Sequence, residues 1–338
     1  MPYSSEHLTR LVQDDHTGEV IDLENRLAGR ALLGMDRAFE ELVRRTLTAW
    51  TRAYGGPNQP AVPGDVLRRI IAAARAAAVR LLDDLARRAP AVLADGLGPA
   101  LDMGVRQGSE FVRAASGRRR REPRAPSAGR VLLDEARRIR DMVVERRDRA
   151  LFLLHPDRVS RWSHMLAGLG AARAVLPAVR AHVAWVINTA VHEGLDAVVR
   201  ATAPLRLWVA EADACVRCLA YTGRTAKPDE AFPGGLSWDP RQRSARAAGV
   251  DGPPLHAHCR CRTVPWDNRW RTSGTPFPEA LRREAERSIG YGTGRPSESR
   301  AVRLRAAREL LRTVDDLLPA VEARARTALR TGRFPAAA

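Results

Sequence analysis

Two short stretches of this chain carry residue types at spacings that could do chemistry. The first is Cys215-Val216-Arg217-Cys218. The second holds His256, His258, Cys259 and Cys261 within the string Pro253-Pro254-Leu255-His256-Ala257-His258-Cys259-Arg260-Cys261. Together they contain all four cysteines of the chain. A Cys-x-x-Cys turn lets two thiolates reach one zinc ion at about 2.3 Å, and a second pair from a distant segment completes a tetrahedron. Closing so long a loop around Zn2+ fixes a segment that has little core of its own.

Cys215 and Cys218 are the firmest ligands. On the other side, His256 with Cys259 gives a three-residue step that two ligands on one turn can span. Cys259 with Cys261 gives an all-cysteine site of less common geometry, and Cys261 can equally stand in for Cys259 beside His256. His258 is the weakest donor. A catalytic deaminase zinc needs His-x-Glu upstream and Pro ahead of Cys-x-x-Cys; here Ala214 precedes the pair and no His-x-Glu exists. A hydrolytic zinc needs three ligands, an open position and a general base. Glu211 and Asp213 are near in sequence but show no marked spacing. A closed structural site is the expectation, with one or two disulfides as the lesser alternative.

The elements that must position these residues are mostly helical. Residues 1–20 read as a polar arm. Apolar residues recur at helical spacing over 21–53, and GGPNQPAVPG at 55–64 is a break. Further helical blocks are expected over 65–88, with Asp65 as N-cap, and over 89–115. Then come 131–154 and 159–201. His182, His192 and Glu193 in the last block read as satisfied core or surface residues rather than catalytic ones. From 205 to 270 the texture changes to Gly, Pro, Trp and Cys with short apolar runs. A short helix at 278–289 and a final helix over 299–330 follow, the latter with a heptad-like seam. The expected fold is mainly α: a long helical region over 21–204, a small loop-rich, zinc-stabilised α+β module over 205–270, and a C-terminal helical segment over 271–338.

Composition agrees. The 338 residues are 45% hydrophobic, 28% charged and only 5% aromatic. Lys227 is the only lysine. The net charge of +17 comes from 56 basic against 39 acidic residues. A field of that sign attracts polyanions, nucleic acid first. Residues 117–130, GRRRREPRAPSAGR, read as an exposed, flexible linker whose Arg118, Arg119, Arg120 and Arg121 could clamp phosphates. The opening residues lack an apolar signal region, and no run approaches the ~18 uninterrupted apolar residues of a membrane span. Folding in a reducing cytoplasm, without membrane insertion, is expected, and there clustered cysteines favour metal.

The ordered string Trp208, Asp213, Cys215, Cys218, Gly223, then Pro253, Pro254, His256, Cys259, Arg260, Cys261, resembles the C-terminal signature of the Mu F-like phage head morphogenesis family. It covers about a fifth of the chain. Ala257 stands where that family usually has Pro, and Ala190 lies in a helix where many members carry an Arg-Thr-Glu segment. The resemblance implies a minor head (capsid) protein of a tailed phage or a derived particle, sited near the portal. Its expected partners are the portal protein, other head proteins and packaged double-stranded DNA, held without sequence preference. It implies a virion protein, made in the host cytoplasm and not an enzyme. The alternative is a nucleic-acid-binding or nucleic-acid-processing protein with a zinc ribbon. The chain has no Walker loop, no Gly-x-Ser-x-Gly, no His-Glu-x-x-His and no convincing helix-turn-helix for those roles. The segment past Trp266 is short for an appended enzyme domain.

Overall fold

A computed structural model describes residues 3–244, 248–256 and 258–335, and it is mainly helical with one small sheet. The residues expected to form a polar arm do not. They are helical from Ser5: α1 (Ser5–Arg10) runs through a π-helical turn (Leu11–His16) into α2 (Thr17–Ala31). Ser4 caps α1 by accepting the His7 N–H at 3.2 Å. Leu8, Leu11 and Val12 are buried. Three apolar side chains spaced along a polar sequence are a weak periodic signal, and tertiary burial outweighed it.

After α3 (Met35–Tyr54), the two blocks expected over 65–88 and 89–115 are one 52-residue helix, α4 (Asp65–Ser116). Its buried Leu85, Ala89, Leu93, Leu97, Leu101 and Val105 stand four apart without interruption. Pro90 and Pro99 lie inside it, each at the cost of one backbone hydrogen bond. Next come α5 (Arg130–Leu153), α6 (Trp162–Arg173) and α7 (Val175–Thr202). Residues Trp162–Thr202 include a window long and apolar enough to cross a membrane, but over half of it is buried inside the protein, as in a core helix. The seam expected to run unbroken over 299–330 is cut. α10 (Arg300–Thr313) ends before a non-helical 314–318 with a bend at 315–316, and Pro319 opens α11 (Pro319–Thr331) because it has no N–H to continue a helix.

The chain clusters into two units that do not follow sequence order. One comprises 22–98 and 128–187; the other comprises 1–21, 99–127 and 188–338. The helical domain expected over 21–204 is therefore shared between them, and the module at 205–270 does not stand alone. In the first unit Trp50 is fully buried, with Trp162 edge-on at 5.9 Å. Arg147 pairs with Asp83 at 2.7 Å, tying α5 to α4.

The second unit holds the candidate site. Its sheet is β2-β1-β3, all antiparallel: β1 (Leu205–Val209) pairs with β2 (Thr225–Ala226) and with β3 (Arg262–Trp266), Leu207 opposite both Thr225 and Val264. One face of the sheet packs Leu207, Val209, Val264 and Trp266 against Leu8, Leu11, Val12, Phe111, Phe277 and Leu281. The other side forms a core of Trp208, Tyr221 and Phe232 with the cysteines and α9 (Phe277–Tyr291), α10 and α11. Within this unit α4 and α7 cross at a pair of glycines. A Cβ on Gly104 would lie 2.0 Å from the Val191 carbonyl oxygen, and one on Gly194 would lie 2.2 Å from that of Leu101.

Candidate metal centre

Cys215 is the N-cap of the short helix α8 (Val216–Tyr221), and its carbonyl accepts the Leu219 N–H at 3.0 Å. That turn carries Cys218 one step on, facing the same way as Cys215. The second arm is also a backbone turn: the Cys259 N–H donates to the His256 carbonyl at 3.0 Å. His258 closes it with a φ of 59°, the only non-glycine residue with positive φ among the described residues. Ala257 lies outside the described residues. The Pro253–Pro254 peptide leading into the turn is cis.

The two arms meet. Cys215 Sγ lies 3.3 Å from His256 Nε2, Cys218 Sγ lies 3.9 Å from the same nitrogen, and Cys218 Sγ lies 3.7 Å from Cys259 Sγ. A tetrahedron with the usual zinc bond lengths has S–S edges of about 3.8 Å and S–N edges of about 3.6 Å. Cys215, Cys218 and His256 form one group of mutually close donors; Cys218, Cys259 and Cys261 form a second. The groups share Cys218 and could bind a metal ion. All five expected ligands are thus brought together, one more than a tetrahedron takes, and His258 belongs to neither group. None of the four cysteines is in a disulfide, and Cys218, Cys259 and Cys261 are buried.

Their protonation is split. Hydrogen bonding from Cys218, with help from His256, brings Cys215 down to about 4. Hydrogen bonds from Cys218 and Cys261 likewise hold Cys259 low. Cys218 is pushed well up because its thiol donates to its neighbours, and Cys261 because it is buried. The cluster therefore concentrates negative charge out of water, which a bound cation neutralises.

Several neighbours were not legible as site residues. The Arg295 guanidinium lies against the His256 ring, Nη1 3.0 Å from Nε2, and sets a positive charge beside the thiolates. Glu298 accepts the Val216 N–H at 3.2 Å. Glu211 accepts the Arg260 N–H at 3.2 Å; burial, then the Cys259 charge, pushes its carboxyl up to about 7. His192, read as a satisfied core residue, is buried with Nε2 2.9 Å from the Cys261 carbonyl oxygen. Arg295 and Glu298 sit some 40 to 80 residues along from their partners, and no short motif marks them.

The other signature residues build the scaffold. Trp208 is fully buried, stacked on Tyr221 at 4.7 Å and edge-on to Phe232 at 5.2 Å. Gly223 has a φ of 75°, and a Cβ there would lie 2.3 Å from the Pro278 carbonyl oxygen. Only glycine satisfies both conditions.

The expected phosphate-binding run, Arg118 to Arg121, lies far from the cysteines in sequence. It occupies the segment after α4 that has no helix or strand, and all four residues are exposed. No family model, curated protein or solved structure matches the chain.

Proposed function

We propose that this chain is a minor head protein of a tailed phage, a prophage or a phage-derived particle, associated with the portal and built around one structural zinc ion. What carries the reading is the convergence of the Cys215/Cys218 turn and the His256/Cys259/Cys261 turn beside a buried Trp208, in the order of the Mu F-like signature. Zinc fits the donor set, because thiolates with one imidazole at tetrahedral edge lengths suit that ion above magnesium or calcium. Cys215, Cys218 and His256 would supply three ligands, and Cys259 or Cys261 the fourth. Burial of three of the cysteines favours a closed, non-catalytic site. The excess of arginine supports a place beside packaged double-stranded DNA, bound through phosphates without base readout.

The decisive experiment is reconstitution. Purified protein should carry close to one zinc per chain by elemental analysis, and should co-sediment with the portal protein of its particle. A zinc-loaded protein that ignores the portal yet cleaves DNA with magnesium would favour the nucleic-acid-processing alternative instead.

A further inference from the structure

The four arginines at 118–121 line two clefts, and Arg120 alone among them lines both. The segment leaves α4 without helix or strand, and its side chains are divided between two clefts. Arg118 and Arg120 line a cleft of about 560 Å³ together with Asp267, Arg269, Trp270 and Arg271. Arg119 and Arg121, with Arg120 between them, line a second cleft of about 480 Å³ together with Arg106, Arg113, Glu110 and Glu122.

The two clefts differ in the carboxylates and aromatic groups that line them: Asp267 and Trp270 in the first, Glu110 and Glu122 with no aromatic ring in the second. In the second, five guanidinium groups line the walls: Arg106 is held by Glu19 at 2.9 Å and Arg113 by Glu110 at 3.6 Å, Glu122 adds a further carboxylate, and Arg119 and Arg121 have no carboxylate partner among the described residues. In the first, four guanidinium groups face a single carboxylate, Asp267. Asp267 is already engaged: Arg269 donates to it at 2.6 Å, and the Arg269 N–H donates to the same side chain at 2.9 Å. Arg269 and then Arg120 hold its carboxyl below the usual range. Arg120 is fixed by donating to the Thr202 carbonyl at 2.7 Å. Arg118 and Arg271 are exposed, and among the described residues neither has a carboxylate partner. Trp270 lies half-buried in the wall, its ring edge-on to Trp266 at 5.8 Å.

We infer that Arg118, Arg120, Arg269 and Arg271, with Trp270, form a phosphodiester-binding cleft for a DNA backbone, and that Arg119 and Arg121 are not part of it. The chemistry is that of guanidinium forks receiving successive phosphate oxygens, with Arg120 and Arg269 held in place by Thr202 and Asp267 and Arg118 and Arg271 projecting into solvent. Trp270 adds an aromatic edge on which a sugar or an unstacked base can rest. Arg269, Trp270 and Arg271 come two residues after β3, in a turn closed by the Trp270 N–H on the Asp267 carbonyl at 2.8 Å, so the end of the sheet positions one wall and Arg120's bond to α7 the other. The inference rests on the reading of this chain as a DNA-associated head protein, and specifies where the backbone is held.

The test compares two charge-matched pairs in the same protein. Binding of fluorescein-labelled 20-mers, one single-stranded and one duplex, is followed by polarisation from 50 to 300 mM KCl. The R118Q/R271Q variant should lose about tenfold or more in affinity at 100 mM salt, and its log–log salt slope should fall by about 2, one unit per lost phosphate contact. R119Q/R121Q should change affinity by less than about threefold. Helical circular dichroism of both variants should match the parent, since all four side chains are exposed. Equal losses in the two pairs would overturn the cleft and leave a diffuse polycation, with the DNA-association reading intact. No salt-sensitive binding of either probe by the parent protein would overturn that reading itself. Which probe binds tighter decides whether the cleft receives a single strand or the outside of a duplex.

Discussion

At the scale of single residues, Cys218 is the pivot of the metal cluster, because it belongs to both donor groups. C218S should abolish tight metal binding, measured as zinc per chain after dialysis against a weak chelator. C259S and C261S should differ from each other: the one that supplies the fourth ligand should lose zinc, and the other should keep it. Equal retention by both would show that neither thiolate is required. A second residue-scale prediction concerns His16, which is 2% exposed with Nε2 3.2 Å from Glu110. Burial, then the nearby Arg262 charge, lowers it from 6.5 to about 3. The folded state therefore disfavours the protonated ring while the unfolded chain accepts it. Its contribution is fully present above about pH 6.5 and is lost as pH falls toward 3, amounting to about 2 kcal/mol by pH 5. H16Q should flatten that part of the stability–pH curve in urea titrations; an unchanged slope would count against the burial argument.

At the scale of elements, glycines give predictions of opposite sign. Gly104 in α4 meets the backbone of α7, where a Cβ would lie 2.0 Å from Val191 O. Gly104→Ala must force the helices apart, and overpacking of this kind costs about 1–3 kcal/mol, more than the roughly 1 kcal/mol that alanine gains in helix propensity. Gly170, in α6, is exposed and has nothing within 4 Å of its Cβ position. Gly170→Ala should therefore stabilise by about 0.5–1 kcal/mol. Denaturant midpoints of the two variants should move in opposite directions. The C-terminal helices also carry more than a seam. Arg305 of α10 holds the fully buried Asp239 through two bonds of 2.9 and 2.8 Å, and Glu309 of the same helix receives Arg243 at 2.9 Å. These pairs anchor the loop ahead of the His256 arm to α10.

At the scale of the whole molecule, the cysteines belong to a core that also contains Ala285, Ile289, Leu310, Val321 and Ala325. Metal removal should therefore loosen more than 205–270. Strong chelation is expected to lower the thermal midpoint of the unit formed by 1–21, 99–127 and 188–338, and to leave that of 22–98 with 128–187 in place. Calorimetry before and after chelation checks this, and a single unshifted transition would refute it. Deleting residues 1–16 should likewise destabilise the first of these units, since Leu8, Leu11 and Val12 sit beside Phe111, Val264 and Phe277. An arm could be removed without such a penalty.

The sequence by itself determined what is local. Cys215 and Cys218 are joined through one helical turn, and His256 and Cys259 through one backbone turn, so spacing alone was enough to place each pair on one side. The helical texture of α3, α5, α7 and α9 was legible for the same reason, because each repeats apolar residues within a few positions. Only the tertiary structure decided the rest. It turned the polar opening segment into core, because Leu8, Leu11 and Val12 are buried by residues a hundred or more positions away. It carried α4 across Pro90 and Pro99, because the buried four-residue stripe outweighs two lost hydrogen bonds. It cut the last helix at Pro319, set Arg295 against His256, and divided one run of arginines between two clefts. Apart from the cut at Pro319, whose missing N–H is a local signal, each of these depends on contacts between distant segments, and no short-range pattern in the chain encodes them.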